Sequence, residues 1–186
     1  GSFFYSEEAG GEPTGRIDMK VRGLSRAGLA LASKPIDLAV IASFGGARAG
    51  ARLVAAAGGQ TIGRGQIQLS GLAGGGTLAD RITNANLFGQ LRFNGDAGTL
   101  WRLTGVSTFD LTGNVAIGAD VSGRLADPVI RGSVRTASAR VESAAAGMVL
   151  TGVAANGRFN GSRLVLDSFA ANAGKNGRLT GTGTIS

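Results

Sequence analysis

The stretch Phe109–Leu125, FDLTGNVAIGADVSGRL, constrains the fold more than any other part of the chain. Its odd positions are all apolar or glycine: Phe109, Leu111, Gly113, Val115, Ile117, Ala119, Val121, Gly123 and Leu125. Its even positions are mostly polar, charged or small, as in Asp110, Thr112, Asn114, Asp120, Ser122 and Arg124. Successive side chains of a strand point to opposite faces, so the pattern predicts one amphipathic strand. A strand usually has about five or six residues, and this alternation runs to nearly three times that. Long amphipathic strands make a surface, and the question is what lies against its apolar side.

Similar segments recur with glycine or polar breaks between them. Strands are expected near Ile17–Gly23, Gly65–Gly71, Leu87–Asn94, Phe109–Leu125, Val129–Val141, Val149–Asn160, Arg163–Ala170 and Gly177–Ile185. Ile36–Phe44 is a nearly continuous apolar run that reads as buried or ambiguous, and Ala51–Ala57 is a weak, alanine-rich segment. Asp127-Pro128 reads as a turn and Asn160-Gly161 as a hairpin. Ile130, Gly132 and Val134 alternate on even numbers, whereas Ala137, Ala139 and Val141 continue on odd ones, so a bulge or bend is expected near Thr136. Two short helices are expected, about 77–86, opened by the capping box Thr77-Leu-Ala-Asp80, and about 96–103, capped by Asp96 with Trp101 as a packing anchor. Glycines on the inward side of the strands, among them Gly113, Gly132 and Gly157, point to a sheet curled around a narrow concave face.

Composition removes whole classes of chemistry. The 186 residues include no Cys and no His, which excludes Cys/His zinc sites, Ser-His-Asp triads and Cys-His nucleophiles. Asp110 and Asp120 fall on the wet strand face, where a solvated role outweighs acid–base catalysis. The glycines of GLAGGG at 71–76 are not followed by Gly-Lys-Ser/Thr and make no phosphate loop. The chain is therefore read as not an enzyme, with no cofactor and no metal. The net charge of +7 is spread singly, as in Arg52, Arg64, Arg81, Arg92 and Arg102. That spacing reads first as solvated strand faces, and as a functional feature it favours anionic lipid head groups or lipopolysaccharide over nucleic acid. Nucleic-acid binders cluster their basic residues and interleave exposed aromatics, and no nucleic-acid partner is expected. No run of 18 apolar residues is present and no signal peptide is evident. Residues 1–11 lack a period and are expected to be tag-derived or poorly ordered, with 12–186 forming the folded domain of a longer protein.

The segments VSGRLADPVIRGSV, ARVES, VAANGRFNGSRLVLDSFAA and GRLTGTG, with LFGQLRFNGDAGTLWRL upstream, resemble the TamB family of AsmA-like bridge proteins over roughly Gly63–Ser186. The resemblance implies an all-β fold, a long curved, folded-over sheet (a β-taco) with an apolar interior groove and one or two short helices. It further implies a periplasmic location, an N-terminal helix outside this chain anchored in the inner membrane, and an outer-membrane barrel partner, TamA. The implied roles are phospholipid transport between the two membranes and assistance to outer-membrane protein assembly. The family carries no catalytic motif.

The residues expected to line the lipid groove are Leu91, Phe93, Phe109, Leu111, Val115, Ile117, Val121, Leu125, Ile130, Val134, Val153, Phe159, Leu164, Leu166, Leu179 and Ile185. Phospholipid or another apolar cargo is the expected ligand. A charge at Ile117 or Val153 is expected to block acyl chains at small cost in stability. The alternatives are a closed-core β-solenoid and a cell-surface passenger-type protein, neither with cargo. A transmembrane barrel would need aromatic girdles, and aromatics are 5% of the chain. Bare sheet edges are expected either to self-associate or to be covered by Phe3–Glu8.

Overall fold

The computed structural model describes residues 1–6, 14–24, 35–103, 109–161 and 163–185. The chain is all-β: among the described residues twelve strands are joined in one antiparallel sheet, with two short helices. The strands are β1 (Ser2–Ser6), β2 (Thr14–Leu24), β3 (Ile36–Gly45), β4 (Arg48–Ala57), β5 (Gln60–Ser70), β6 (Asn86–Asp96), β7 (Asp110–Thr112), β8 (Asn114–Arg124), β9 (Asp127–Ser143), β10 (Met148–Asn160), β11 (Arg163–Ala173) and β12 (Gly177–Ile185). The helices are α1 (Leu78–Asn84) and α2 (Ala97–Leu103). Neighbours follow chain order from β1 to β6 and from β8 to β12, with β6 beside β8 and β7 set aside against β9.

The chain clusters into two compact units. The first holds the described residues up to Leu91 together with Asp120–Ile130, and the second holds Arg92–Ala119 and the chain from Arg131 onward.

In the first unit, β1 to β5 form an antiparallel meander. Ser2–Ser6 lies along β2, with Phe3 opposite Ile17 and Tyr5 opposite Gly15. This is the edge-covering position expected of Phe3–Glu8, of which residues 7 and 8 lie outside the described residues. The apolar run Ile36–Phe44 and the alanine-rich Ala51–Ala57 are full strands, β3 and β4, paired residue for residue. Their sequences alternate weakly because both faces of β3 carry apolar residues, and pairing to neighbours supplies what local propensity lacks. α1 carries the capping box expected of it: Thr77 Oγ1 accepts from the Asp80 amide at 3.1 Å, and Asp80 Oδ2 accepts from the Thr77 amide at 3.1 Å. The carbonyls that follow hold the β8–β9 turn, through Leu125 N to Ala85 O at 3.0 Å and Ala126 N to Thr83 O at 3.1 Å. That turn is Leu125-Ala126, two residues earlier than the expected Asp127-Pro128. Pro128 is instead the second residue of β9, at the strand's start, where proline is tolerated.

In the second unit, the stretch expected to be one strand is broken. β7 ends at Thr112 and β8 begins at Asn114. Gly113 between them has φ +98°, and a Cβ there would stand 2.8 Å from Ala139 Cα and 2.9 Å from Ser138 O. Only glycine takes this bend at low cost. Phe109, the first residue of the expected strand, precedes β7. Asp96 caps α2 as expected, Oδ2 accepting from Thr99 N at 3.2 Å. The bulge expected near Thr136 is present: Val153 faces Ala139 and Ala155 faces Thr136, so β9 carries one extra residue between them. The hairpin at Asn160-Gly161 joins β10 to β11.

Candidate functional site

The register of the second unit assembles a continuous apolar face. Leu111, Val141, Leu150 and Ala173 form one row, since each is paired with the next across β7, β9, β10 and β11. The bulges in β9 and β10 then restore the face, so Val153 is opposite Ala139, and Ala171 pairs with Leu179. Further rows are Val134, Gly157, Leu166 and Gly183, then Gly132, Phe159, Leu164 and Ile185. One end of this face is a packed cluster of Ala139, Leu150, Val153 and Ala171, with Leu111, Val141, Met148 and Phe169 against it. Towards the other end Phe159, Leu164 and Leu166 are half-buried, and Leu179, beside Ala171 on the last strand, is exposed. Phe93, Val115 and Ala119 are buried in this unit, and Ile117 is half-buried.

The first unit carries a second apolar face. Ile17 pairs with Ala42, Ala42 with Ala51 and Ala51 with Ile67. The adjoining rows set Met19 with Val40 and Leu53, and Phe44 with Ala49 and Leu69. On this face Ile17, Met19, Phe44 and Ile67 are each between 38% and 43% exposed. Tyr5, opposite Gly15, reaches it from β1, its ring centroid 6.5 Å from that of Phe44. A side chain at Gly65 would meet Leu91 and Leu53, and one at Gly89 would meet Val121, so Leu91 and Val121 border the same side.

The sixteen residues expected to line a groove are therefore divided. Leu91, Val121, Leu125 and Ile130 belong to the first unit, and the other twelve to the second. Leu125 sits in the β8–β9 turn rather than in a strand. Phe109 is exposed, and its carbonyl accepts from Trp101 Nε1 at 2.7 Å, which gives Trp101 its anchoring role. Val153 is sealed by its neighbours at 4% exposure, so a charge there meets a core and not the open face on which a small stability cost was expected. Ile185 pairs with Leu164 along the backbone, and its side chain lies outside the described atoms. Sequence reading missed the first unit's face of Ile17, Met19, Val40, Phe44, Leu53 and Ile67. The alternation of Ile17, Met19 and Val21 was the signal that could have found it.

Electrostatics on the polar sides is local. Arg158 makes two bonds to Asp167, Nη2 to Oδ1 at 2.7 Å and Nε to Oδ2 at 2.8 Å. Hydrogen bonding by Arg158 holds the Asp167 carboxyl below its ordinary value, and the same bond raises Arg158. Thr77 lowers Asp80 through its hydroxyl and its amide. Among the described residues no three His, Cys, Asp or Glu side chains are grouped to hold a metal ion, and no helix is long and apolar enough to cross a membrane. The arrangement offers apolar contact area with few convergent polar groups, which suits burial of hydrocarbon.

Comparison with protein-family models, with curated proteins and with solved structures finds no match in any of the three.

Proposed function

We propose that this chain is a non-enzymatic segment of an AsmA-like bridge protein of the TamB type. On this reading it lies in the periplasm as part of a protein anchored in the inner membrane, and its apolar faces hold phospholipid acyl chains between inner and outer membranes. Assistance to outer-membrane protein assembly with a barrel partner such as TamA belongs to the same reading. The observation that carries it is the face of Ile17, Met19, Phe44 and Ile67. The backbone beneath them is fully paired along β2 to β5, yet these large apolar side chains stay open to solvent. A sheet with one apolar face must bury it against something. An acyl chain laid along it gains about 0.8 kcal/mol per buried CH₂.

The packed cluster of Ala139, Leu150, Val153 and Ala171 favours a second reading for its own part of the chain, a closed core with no cargo. Native mass spectrometry of the purified protein separates the two. The bridge reading expects co-purified phospholipid, lost in Met19→Asp. A protein that carries no lipid from a Gram-negative host, and takes up none from vesicles, is a closed-core structural protein.

A further inference from the structure

The polar side of the first unit gathers charges that the sequence spreads. Arg48, Gly50 and Arg52 alternate along one face of β4, and the register brings Arg16 to the same face, because Arg16 is opposite Ser43 and Ser43 is opposite Gly50. These residues line a cleft of about 960 Å³, within the volume range of small-molecule sites. Gly50 leaves the floor between the two β4 arginines without a side chain. Among the described residues no carboxylate lines the cleft and none of the three arginines has an ion-pair partner. Gln68, opposite Gly50, and the hydroxyls of Ser43 and Ser70 add neutral donors. Ile41 and Phe88, both exposed, add apolar wall.

We propose that this cleft binds a phosphate-bearing anion. Guanidinium groups stay charged at every physiological pH, and their forked donors match phosphate oxygens two at a time. The three line the cleft with no carboxylate among its described lining residues, the Asp18 of the same face standing outside it, across Ile41 from Arg52. The phosphate can be presented by a lipid headgroup at a membrane or by a soluble phosphate ester, with Ile41 and Phe88 contacting the apolar part next to it. By register the three arginines stand on the face of β2 to β5 opposite Ile17 and Met19, neither of which lines the cleft, although Phe44 and Ile67 do. The inference does not rest on the acyl-chain reading, and Met19→Asp should leave it intact.

The test uses the full chain and three variants, each checked for native circular dichroism. R16Q/R48Q/R52Q removes the cleft charges. R131Q/R135Q/R163Q removes the same net charge from exposed arginines of the second unit. G50L fills the floor and leaves the charge unchanged; a Cβ at Gly50 makes only ordinary contacts, 3.4 Å from Ile67 O and 3.8 Å from Gln68 Cγ. Binding is measured to inorganic phosphate by titration calorimetry and to vesicles of phosphatidylcholine with and without phosphatidylglycerol by flotation. The cleft triple variant should lose on the order of 100-fold in affinity, G50L should lose binding as well, and the R131Q/R135Q/R163Q control should change several-fold at most. Flotation with phosphatidylglycerol, competed by phosphate, assigns the site to a lipid headgroup; phosphate binding without flotation assigns it to a soluble ester. Equal losses in the two triple variants, or binding of neither probe by the unaltered chain, would overturn the proposal.

Discussion

The main-chain amide of Gly113 donates to Oδ1 of Asp96 at 3.0 Å, and the other oxygen of that carboxylate caps α2. The Gly113 carbonyl in turn accepts from the Ala97 amide at 2.7 Å. One side chain thus fixes both the start of α2 and the point at which the amphipathic run divides into β7 and β8. Gly113→Ala forces a Cβ against Ala139 at φ +98° and should cost about 2–4 kcal/mol in urea unfolding. Asp96→Ala should cost about 1 kcal/mol, the worth of a cap. A neutral Gly113→Ala would mean that β7 and β8 are one continuous strand after all.

Period-2 patterning made most of the sheet legible, and local chemistry made the rest of the elements so. Thr77 and Asp80 announced α1, Asp96 announced α2, and the parity change after Val134 announced the bulge in β9. What stayed hidden depended on partners far along the chain. Nothing local in Gly113 distinguishes it from the other inward glycines, because the residues that bend the chain there are Asp96 and Ala139. β3 and β4 stayed indistinct because Ile41 and Ala39 make the second face of β3 apolar and because alanine is a poor strand former. The gathering of Arg16, Arg48 and Arg52 is a product of register, which periodicity within one strand does not contain. The candidate apolar residues were legible as a class, but which are sealed, as Val153 is, and which stay open, as Leu179 does, depends on what packs over them.

The α1 capping box should be felt at the β8–β9 turn. Thr77→Ala removes the acceptor for the Asp80 amide, at a cost of about 1 kcal/mol. Because the Leu125 and Ala126 amides donate to Ala85 and Thr83, their hydrogen exchange should quicken several-fold while that of the β3 amides is unchanged. Unaltered exchange at Leu125 and Ala126 would show that the turn holds without the helix.

Acid should weaken the β10–β11 pairing through Asp167. Arg158 holds the Asp167 carboxyl below its ordinary 3.8, so the pair stabilises the fold at pH values above that and the contribution disappears as pH falls through the lowered value. Asp167→Asn should therefore flatten the fall in the urea midpoint below about pH 4, and the difference from the unaltered protein should shrink in 1 M salt. Parallel curves for the two proteins would remove Asp167 from the account.

Charge placed on the two kinds of apolar position should separate them. Val153→Arg buries an unpaired cation in a packed cluster and should cost about 3 kcal/mol or more. Met19→Asp lies on the open face, where water reaches the carboxylate, and should cost under about 1 kcal/mol. Equal destabilisation of the two, measured by urea unfolding, would mean that the first unit's face is covered.

Whether that face holds acyl chains is decided most directly by site-specific photo-crosslinking in cells of a Gram-negative host. Met19 and Val54 are alike in exposure, 43% and 40%, but the register puts Met19 on the apolar face with Val40 and Leu53, and Val54 on the opposite face beside Arg64. A photo-reactive residue at position 19 should yield a phospholipid adduct by mass spectrometry, and the same residue at 54, which is not among the residues lining the arginine cleft, should yield none. Adducts of equal yield at both positions, or none at position 19 in the folded protein, would contradict the central claim.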